Sequence, residues 1–188
     1  MILIRSRPLR TLHFDFEARP LSWYAGDQVS KEITAIAWSW IGEDEVHCSL
    51  LTRRRSSLDV IRPFLRVYNE ANIVTGHYIR GFDLPLLNAT LVEHGQPALG
   101  PKLTSDTFQD LTKMHGMSRS QEALGAMLGL DHEKYHMDQT KWREGNRLTR
   151  KGLEQTRTRV VHDVRQHKEL RARLVEAGWL RAPRVWKP

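Results

Sequence analysis

The sequence has almost no cysteine. Cys48 is the only one in 188 residues, so no disulfide forms within the chain, and a reducing cytoplasm is the expected location. Cys48 lies in a strand-like run and reads as a small core residue rather than a nucleophile. Long apolar runs are missing too. Nothing approaches the roughly 20 residues of a membrane span, so no membrane partner is expected. Residues 1–8 are too short in their apolar part, and too soon charged, for a secretory signal. There is no internal repeat and no low-complexity tract, which sets aside repeat architectures and disordered linkers. Lysine is scarce, 8 against 21 arginines, a bias that fits a GC-rich genome.

What remains is the composition of a folded protein. The chain is 40% hydrophobic and 27% charged, and its length suits one domain, residues 1–188, with a real core. Its charge is uneven. Residues 1–140 hold 15 basic and 17 acidic side chains, whereas residues 141–188 hold 14 basic and 5 acidic. A basic C-terminal helix and tail, residues 147–188, suits a polyanion such as nucleic acid.

The periodicity predicts an α/β order. Residues 11–17 alternate as a strand, 32–41 are rich in β-branched and aromatic residues, and 46–51 return as a third strand. Pro20 and Gly26-Asp27 read as turn chemistry in an irregular segment between the first two. The triplet Arg53-Arg54-Arg55 reads as a solvated loop, with a phosphate contact as the alternative. A helix follows, with Ser56 and Asp59 as its caps and Pro63 either delaying its start or bending it. A short strand over 73–77, a helix over 82–94, a weak strand over 102–105 and a cap at Asp106 come next. A helix over 122–128 stops at Gly129, and 131–146 is polar and irregular, a short helix plus loop around Trp142. A long helix over 150–177 carries Leu153, Val160, Val161, Val164 and Leu174, with Asp163 at the edge of the stripe beside Arg159 and His167. Trp179 and Trp186 are expected to dock the tail onto the body.

The first strand carries the chemistry. Leu12, Phe14 and Phe16 point one way; His13, Asp15 and Glu17 point the other. Two adjacent carboxylates repel unless a cation lies between them or one takes a proton, so Asp15-x-Glu17 is a candidate divalent-metal site. The competing reading is a solvated acidic strand face.

Three motifs in order settle on one resemblance. Asp15-x-Glu17 on the first strand, residues 76–83 (Gly-His-Tyr-Ile-Arg-Gly-Phe-Asp) opening a middle helix, and His162-Asp163-Val164 on a late helix resemble the DEDD 3′–5′ exonucleases of the ribonuclease H-like superfamily. The resemblance covers roughly residues 10–175. It implies a mixed sheet, three antiparallel strands then parallel ones, with helices on both faces. It also implies two divalent ions, Mg²⁺ or Mn²⁺, about 3.5–4 Å apart, which activate water and stabilise the departing 3′ oxygen. Asp15, Glu17 and Asp163 would hold the first ion, Asp15 bridging to a second near Asp83. His77, Tyr78, Phe82 and Arg159 are the candidate substrate contacts. The implied partner is nucleic acid with single-stranded or frayed 3′ ends, DNA favoured over RNA, and beyond it a polymerase or replication complex.

This chain departs from the pattern at two places. Tyr78 stands where some family members have asparagine. Arg159 and Thr158 stand where the last motif carries a tyrosine or a histidine that orients the attacking water. His162 and His167 are the nearby substitutes, His167 one turn after Asp163 and His162 rotated about 100° away. Three readings stay open: an exonuclease, a degenerate nuclease fold acting as a nucleic-acid-binding or polymerase-associated module without turnover, and an endonuclease or resolvase on the same fold.

Overall fold

The computed structural model describes residues 9–22 and 29–188. In chain order the elements are β1 (Thr11–Ser22), β2 (Val29–Trp40), β3 (His47–Leu50), α1 (Ser57–Glu70), β4 (Ile73–Gly76) and α2 (Asp83–Glu93). There follow β5 (Lys102–Asp106), α3 (Thr107–Asp110), α4 (Gln121–Leu128), α5 (Gln139–Asn146), α6 (Arg150–Glu176) and β6 (Arg184–Trp186). Six strands make one sheet in the order β3-β2-β1-β4-β5-β6. β1, β2 and β3 are antiparallel, while β4 and β5 run parallel to β1. This is the mixed sheet, helices on both faces, of a ribonuclease H-like fold.

Alternation along β1 decides which helix lies on which face. Leu12, Phe14 and Phe16 enter the larger core with Val60, Ile61 and Phe64 of α1 and Leu84, Leu87 and Leu91 of α2. Phe14, Phe16 and Phe64 meet at ring centroids of 5.0–5.3 Å, the spacing at which tilted and edge-on rings attract. On the other face β2 offers small residues, Ala35 and Ala37, and beyond them Ser39, which accepts from Lys168 of α6. Their small side chains let Val160 and Val164 of α6 pack close to the sheet.

The two first strands are longer than their turn residues suggest. β1 runs through Pro20, which pairs with Lys31. Proline lacks an N–H, but β4 pairs with β1 only as far as His13, so beyond that point one edge of β1 meets no strand among the described residues. Gly26-Asp27 lie outside the described residues. The start of α1 follows its caps: Ser56 and Asp59 form both bonds of a capping box. Pro63 leaves the Asp59 carbonyl without its helical donor, and Arg55 Nη2 donates to it at 2.6 Å. The last residue of the arginine triplet is therefore structural. The C-terminal tail adds a strand that periodicity does not reveal, β6, antiparallel to β5. Trp186 packs on the main core, while Trp179 stays 54% exposed.

Two glycines fix α5 against α6. A Cβ on Gly145 would lie 2.9 Å from Thr156 Oγ1, and one on Gly152 would overlap the Glu144 carbonyl. Alanine at a helical glycine ordinarily gains about 1 kcal/mol of helix propensity. At Gly152 the obstacle is backbone, which cannot swing aside, so overpacking wins. Gly152→Ala is expected to cost about 2–3 kcal/mol, measured as a lower urea midpoint at unchanged slope.

Candidate metal centre

The acidic face of β1 lies where the sheet opens. The last β1–β4 pair is His13↔Thr75; β4 then ends at Gly76. Past that point the Phe16 N–H donates to Asp83 Oδ1 at 3.0 Å. The carboxylate at the head of α2 is thereby fixed to the backbone between Asp15 and Glu17. On the opposite edge Asp15 pairs with Ala37 and Glu17 with Ala35, and the register shifts just after Glu17. Such bulges recur where a strand must re-aim its side chains.

Close packing of α6 over those alanines delivers Asp163. Carboxylate oxygens of Asp15, Glu17 and Asp163 all lie within 4.8 Å of one another. Asp163 is 4% exposed, and its Oδ1 is buried with no hydrogen-bond partner among the described residues. No histidine joins this group among the described residues, and Asp83, bonded to β1, does not either.

Arg159 lies inside the cluster. Its Nε is 3.2 Å from Glu17 Oε1 and 2.9 Å from Asp163 Oδ2, and its Nη1 donates to the Tyr135 carbonyl at 2.6 Å. The position where the resemblance expects a water-orienting tyrosine thus holds a cation bound to two of the acids. One residue earlier, the Thr158 hydroxyl is turned back onto the Glu154 carbonyl at 3.0 Å. A second cation comes from the loop before α5. His162 Nδ1 is 3.3 Å from the Glu133 carbonyl, and Arg159 holds Tyr135, so Lys134 is pinned from both sides. Its charge acts on Asp15, Glu17 and Asp163.

Crowding shifts the acids strongly. Burial, then the charges of Asp163, Asp83 and Glu17, hold the Asp15 carboxyl well above its ordinary range. Burial and Asp163 raise Glu17 to about 7 against the pull of Arg159. Burial raises Asp83 to about 8 despite its backbone hydrogen bonds. Asp163 is raised by burial, with Lys134 and Arg159 opposing. A cluster that resists ionising in this way is one a cation would relieve. The donors are all oxygen, which suits a hard divalent ion. The orphan Asp163 Oδ1 is the kind of buried acceptor such an ion satisfies. The residues present therefore fit the metal that the resemblance implies.

The remaining candidates scatter around this centre. His77 Nδ1 contacts Thr107 Oγ1 at 2.9 Å, with its ring edge-on to Phe108. Tyr78 takes a left-handed backbone, φ 70°, which asparagine adopts more readily than tyrosine. Its N–H is held by Asp106 Oδ1 at 2.9 Å, its ring lies edge-on to Phe108, and it is 43% exposed. Asp106 also accepts from the N–H groups of Phe108 and Gln109, so it is a helix cap, as its sequence position suggests. Phe82 packs partly on the core beneath Lys31. His162 is half-buried against Glu133 and Tyr135. His167 is 2% exposed, its Nδ1 2.9 Å from His13 Nδ1. Burial, then the neighbouring His13, His77 and Arg171, push it well below the usual histidine range. It is a neutral ring inside the α6–β1 interface.

Sequence reasoning missed Lys134, the His13–His167 pair and the ion pairs of Arg159. Only the last had a signal: Arg159 and Asp163 are four apart on a helix. Among the described residues, no helix is long and apolar enough to cross a membrane.

No protein-family model matches the chain, and no curated protein matches it. Among solved structures the fold is similar to that of the family B DNA polymerase from the hyperthermophilic archaeon Pyrobaculum calidifontis. The TM-score is 0.70 and the identity 20%, over 90% of this chain and 25% of that one. The chain thus spans about a quarter of the polymerase's length, and at that identity the likeness establishes the fold alone.

Proposed function

We propose that this chain is a metal-dependent 3′–5′ exonuclease that hydrolyses phosphodiester bonds at single-stranded or frayed 3′ ends. The observation that carries this reading is the close group of half-buried Asp15 and Glu17 with buried Asp163, whose Oδ1 is left unpaired. Asp15, Glu17 and Asp163 hold a divalent ion, Mg²⁺ or Mn²⁺, which supplies charge neutralisation at the phosphate and a more acidic water. Asp83, tied to the Phe16 N–H, lines the side towards α2. His77, Tyr78 and Phe82, on the turn that ends in Asp83, contact the terminal nucleotide, Tyr78 offering an exposed ring face for a base. Arg159 and Lys134 bring positive charge to the scissile phosphate. Of the two histidines weighed as water activators, His162 remains the better candidate, since His167 is sealed against His13.

The basic C-terminal quarter supports nucleic acid as the partner. The likeness to a polymerase chain supports DNA, and association with a polymerase or replication complex. A second reading has its own observation. Arg159 already pairs with both Glu17 and Asp163, which favours a nucleic-acid-binding module without turnover. A 5′-labelled single-stranded oligonucleotide with Mn²⁺ separates the two. Stepwise shortening from the 3′ end is expected, with circular single-stranded DNA left intact. Salt-sensitive binding without shortening under any metal selects the module, and cutting of the circle selects an endonuclease.

A further inference from the structure

The resemblance implies two ions; the charges in this centre argue for a different count. Three carboxylates meet in it, Asp15, Glu17 and Asp163, and a fourth, Asp83, is held beside them by the Phe16 N–H. With a neutral tyrosine or histidine at the 159 position, four negative charges would match two divalent ions. Here Arg159 is a permanent cation. Its Nε donates to Glu17 and is ion-paired with Asp163, and its Nη1 donates to the Tyr135 carbonyl. Its side chain is 14% exposed, and those of Glu17 and Asp163 are 12% and 6% exposed. Arginine stays charged when buried and suits a planar, multiply bonded role of this kind. Lys134, on the segment whose neighbouring carbonyls Arg159 and His162 hold, brings a second positive charge to this side of the centre.

We infer that the centre takes one divalent ion, with Arg159 standing in for the second. Two cations against four carboxylates leave a deficit that a single divalent ion fills. The oxygens are divided accordingly. Glu17 Oε1 and Asp163 Oδ2 belong to Arg159, which leaves the unpartnered Asp163 Oδ1 and the Asp15 carboxylate for an ion. A second ion bridging Glu17 and Asp163 would have to displace the guanidinium from a buried double ion pair. This inference rests on the metal-site reading above and changes its stoichiometry.

The test is Mn²⁺ binding by calorimetry and by the electron paramagnetic resonance of free Mn²⁺, with a nucleoside 5′-monophosphate in excess so that a substrate-dependent second ion would be counted. Wild type is expected to bind one Mn²⁺ per chain and Arg159→Gln two. Arg159→Lys, which keeps the charge, is expected to stay at one. Two ions on wild type overturn the inference, and that measurement needs no variant, so a poorly folding Arg159→Gln leaves it decisive. One ion on both wild type and Arg159→Gln overturns the role given to Arg159. No ion on any of the proteins overturns the metal-site reading itself.

Discussion

Asp15→Ala is expected to slow 3′ trimming by on the order of a thousandfold or more without lowering the melting temperature of the metal-free protein. The two halves of that expectation share one cause. Asp15 is pressed by burial and by Asp163, Asp83 and Glu17, with Lys134 acting in its favour. Without metal, its carboxylate is a source of repulsion, so deleting it relieves the fold. With metal, it is the ligand on the face of Asp163 that Arg159 leaves open. An acid kept only for structure behaves the other way: its loss lowers stability first and activity through stability. Rate on a single-stranded oligonucleotide and melting in chelator, measured on the same preparation, separate the two. Equal rates for wild type and Asp15→Ala remove Asp15 from the site. A collapse in melting temperature makes it a structural residue.

The contrast with Glu17 and Asp163 sharpens this. Both are held by Arg159 at 3.2 and 2.9 Å. Removing either leaves a buried guanidinium short of a partner, which costs on the order of 3–5 kcal/mol in comparable buried pairs. Those substitutions therefore confuse folding with chemistry, and Asp15 is the cleaner probe.

Much of this arrangement was legible because it depends on short-range periodicity. Alternation in β1 fixed which side Asp15 and Glu17 occupy, and Ser56 with Asp59 fixed the head of α1. Asp83 was legible from its position at the head of a helix after a glycine turn. What was not legible depends on contacts between distant segments. Pro20 sits within a strand because β4 stops pairing at His13, a fact that no local pattern around Pro20 contains. His167 resembled a surface histidine one turn from Asp163, but it faces His13 on a strand 154 residues earlier. Lys134 lies in a polar stretch without periodicity and reaches the acids only because Glu133 and Tyr135 are caught by α6. Arg159 looked like a missing catalytic group. In the fold it is a present cation, and the difference lies entirely in what Glu17 brings from the other side.

The metal-free protein is expected to lose stability between pH 6.5 and 8, and Mn²⁺ is expected to abolish that loss. Glu17 at about 7 and Asp83 at about 8 are both raised above their ordinary carboxylate values. Between the unfolded and folded values, the native state holds protons that the unfolded chain has released. Stability is then greatest on the acid side of that interval and falls as the pH rises through the folded values. The buried histidines run the opposite way. His13 and His77 are lowered to about 3 and about 4, chiefly by burial, so they oppose folding as the pH drops below about 6.5. At pH 6.5 the unfolded histidines are still half protonated, so His13, His77 and the likewise lowered His167 offset part of the acids' slope at the start of the interval and little of it above about pH 7.5. The net loss from pH 6.5 to 8 amounts to about 1 kcal/mol, or roughly 3 °C in melting temperature for a chain of this size. A bound cation favours the ionised carboxylates and removes the proton linkage. Melting curves in chelator and in excess Mn²⁺ at the two pH values read this directly. A flat or rising melting temperature in chelator would mean that Glu17 and Asp83 are already ionised at pH 6.5. The acid cluster would then be neutralised by Arg159 and Lys134 more completely than its burial implies.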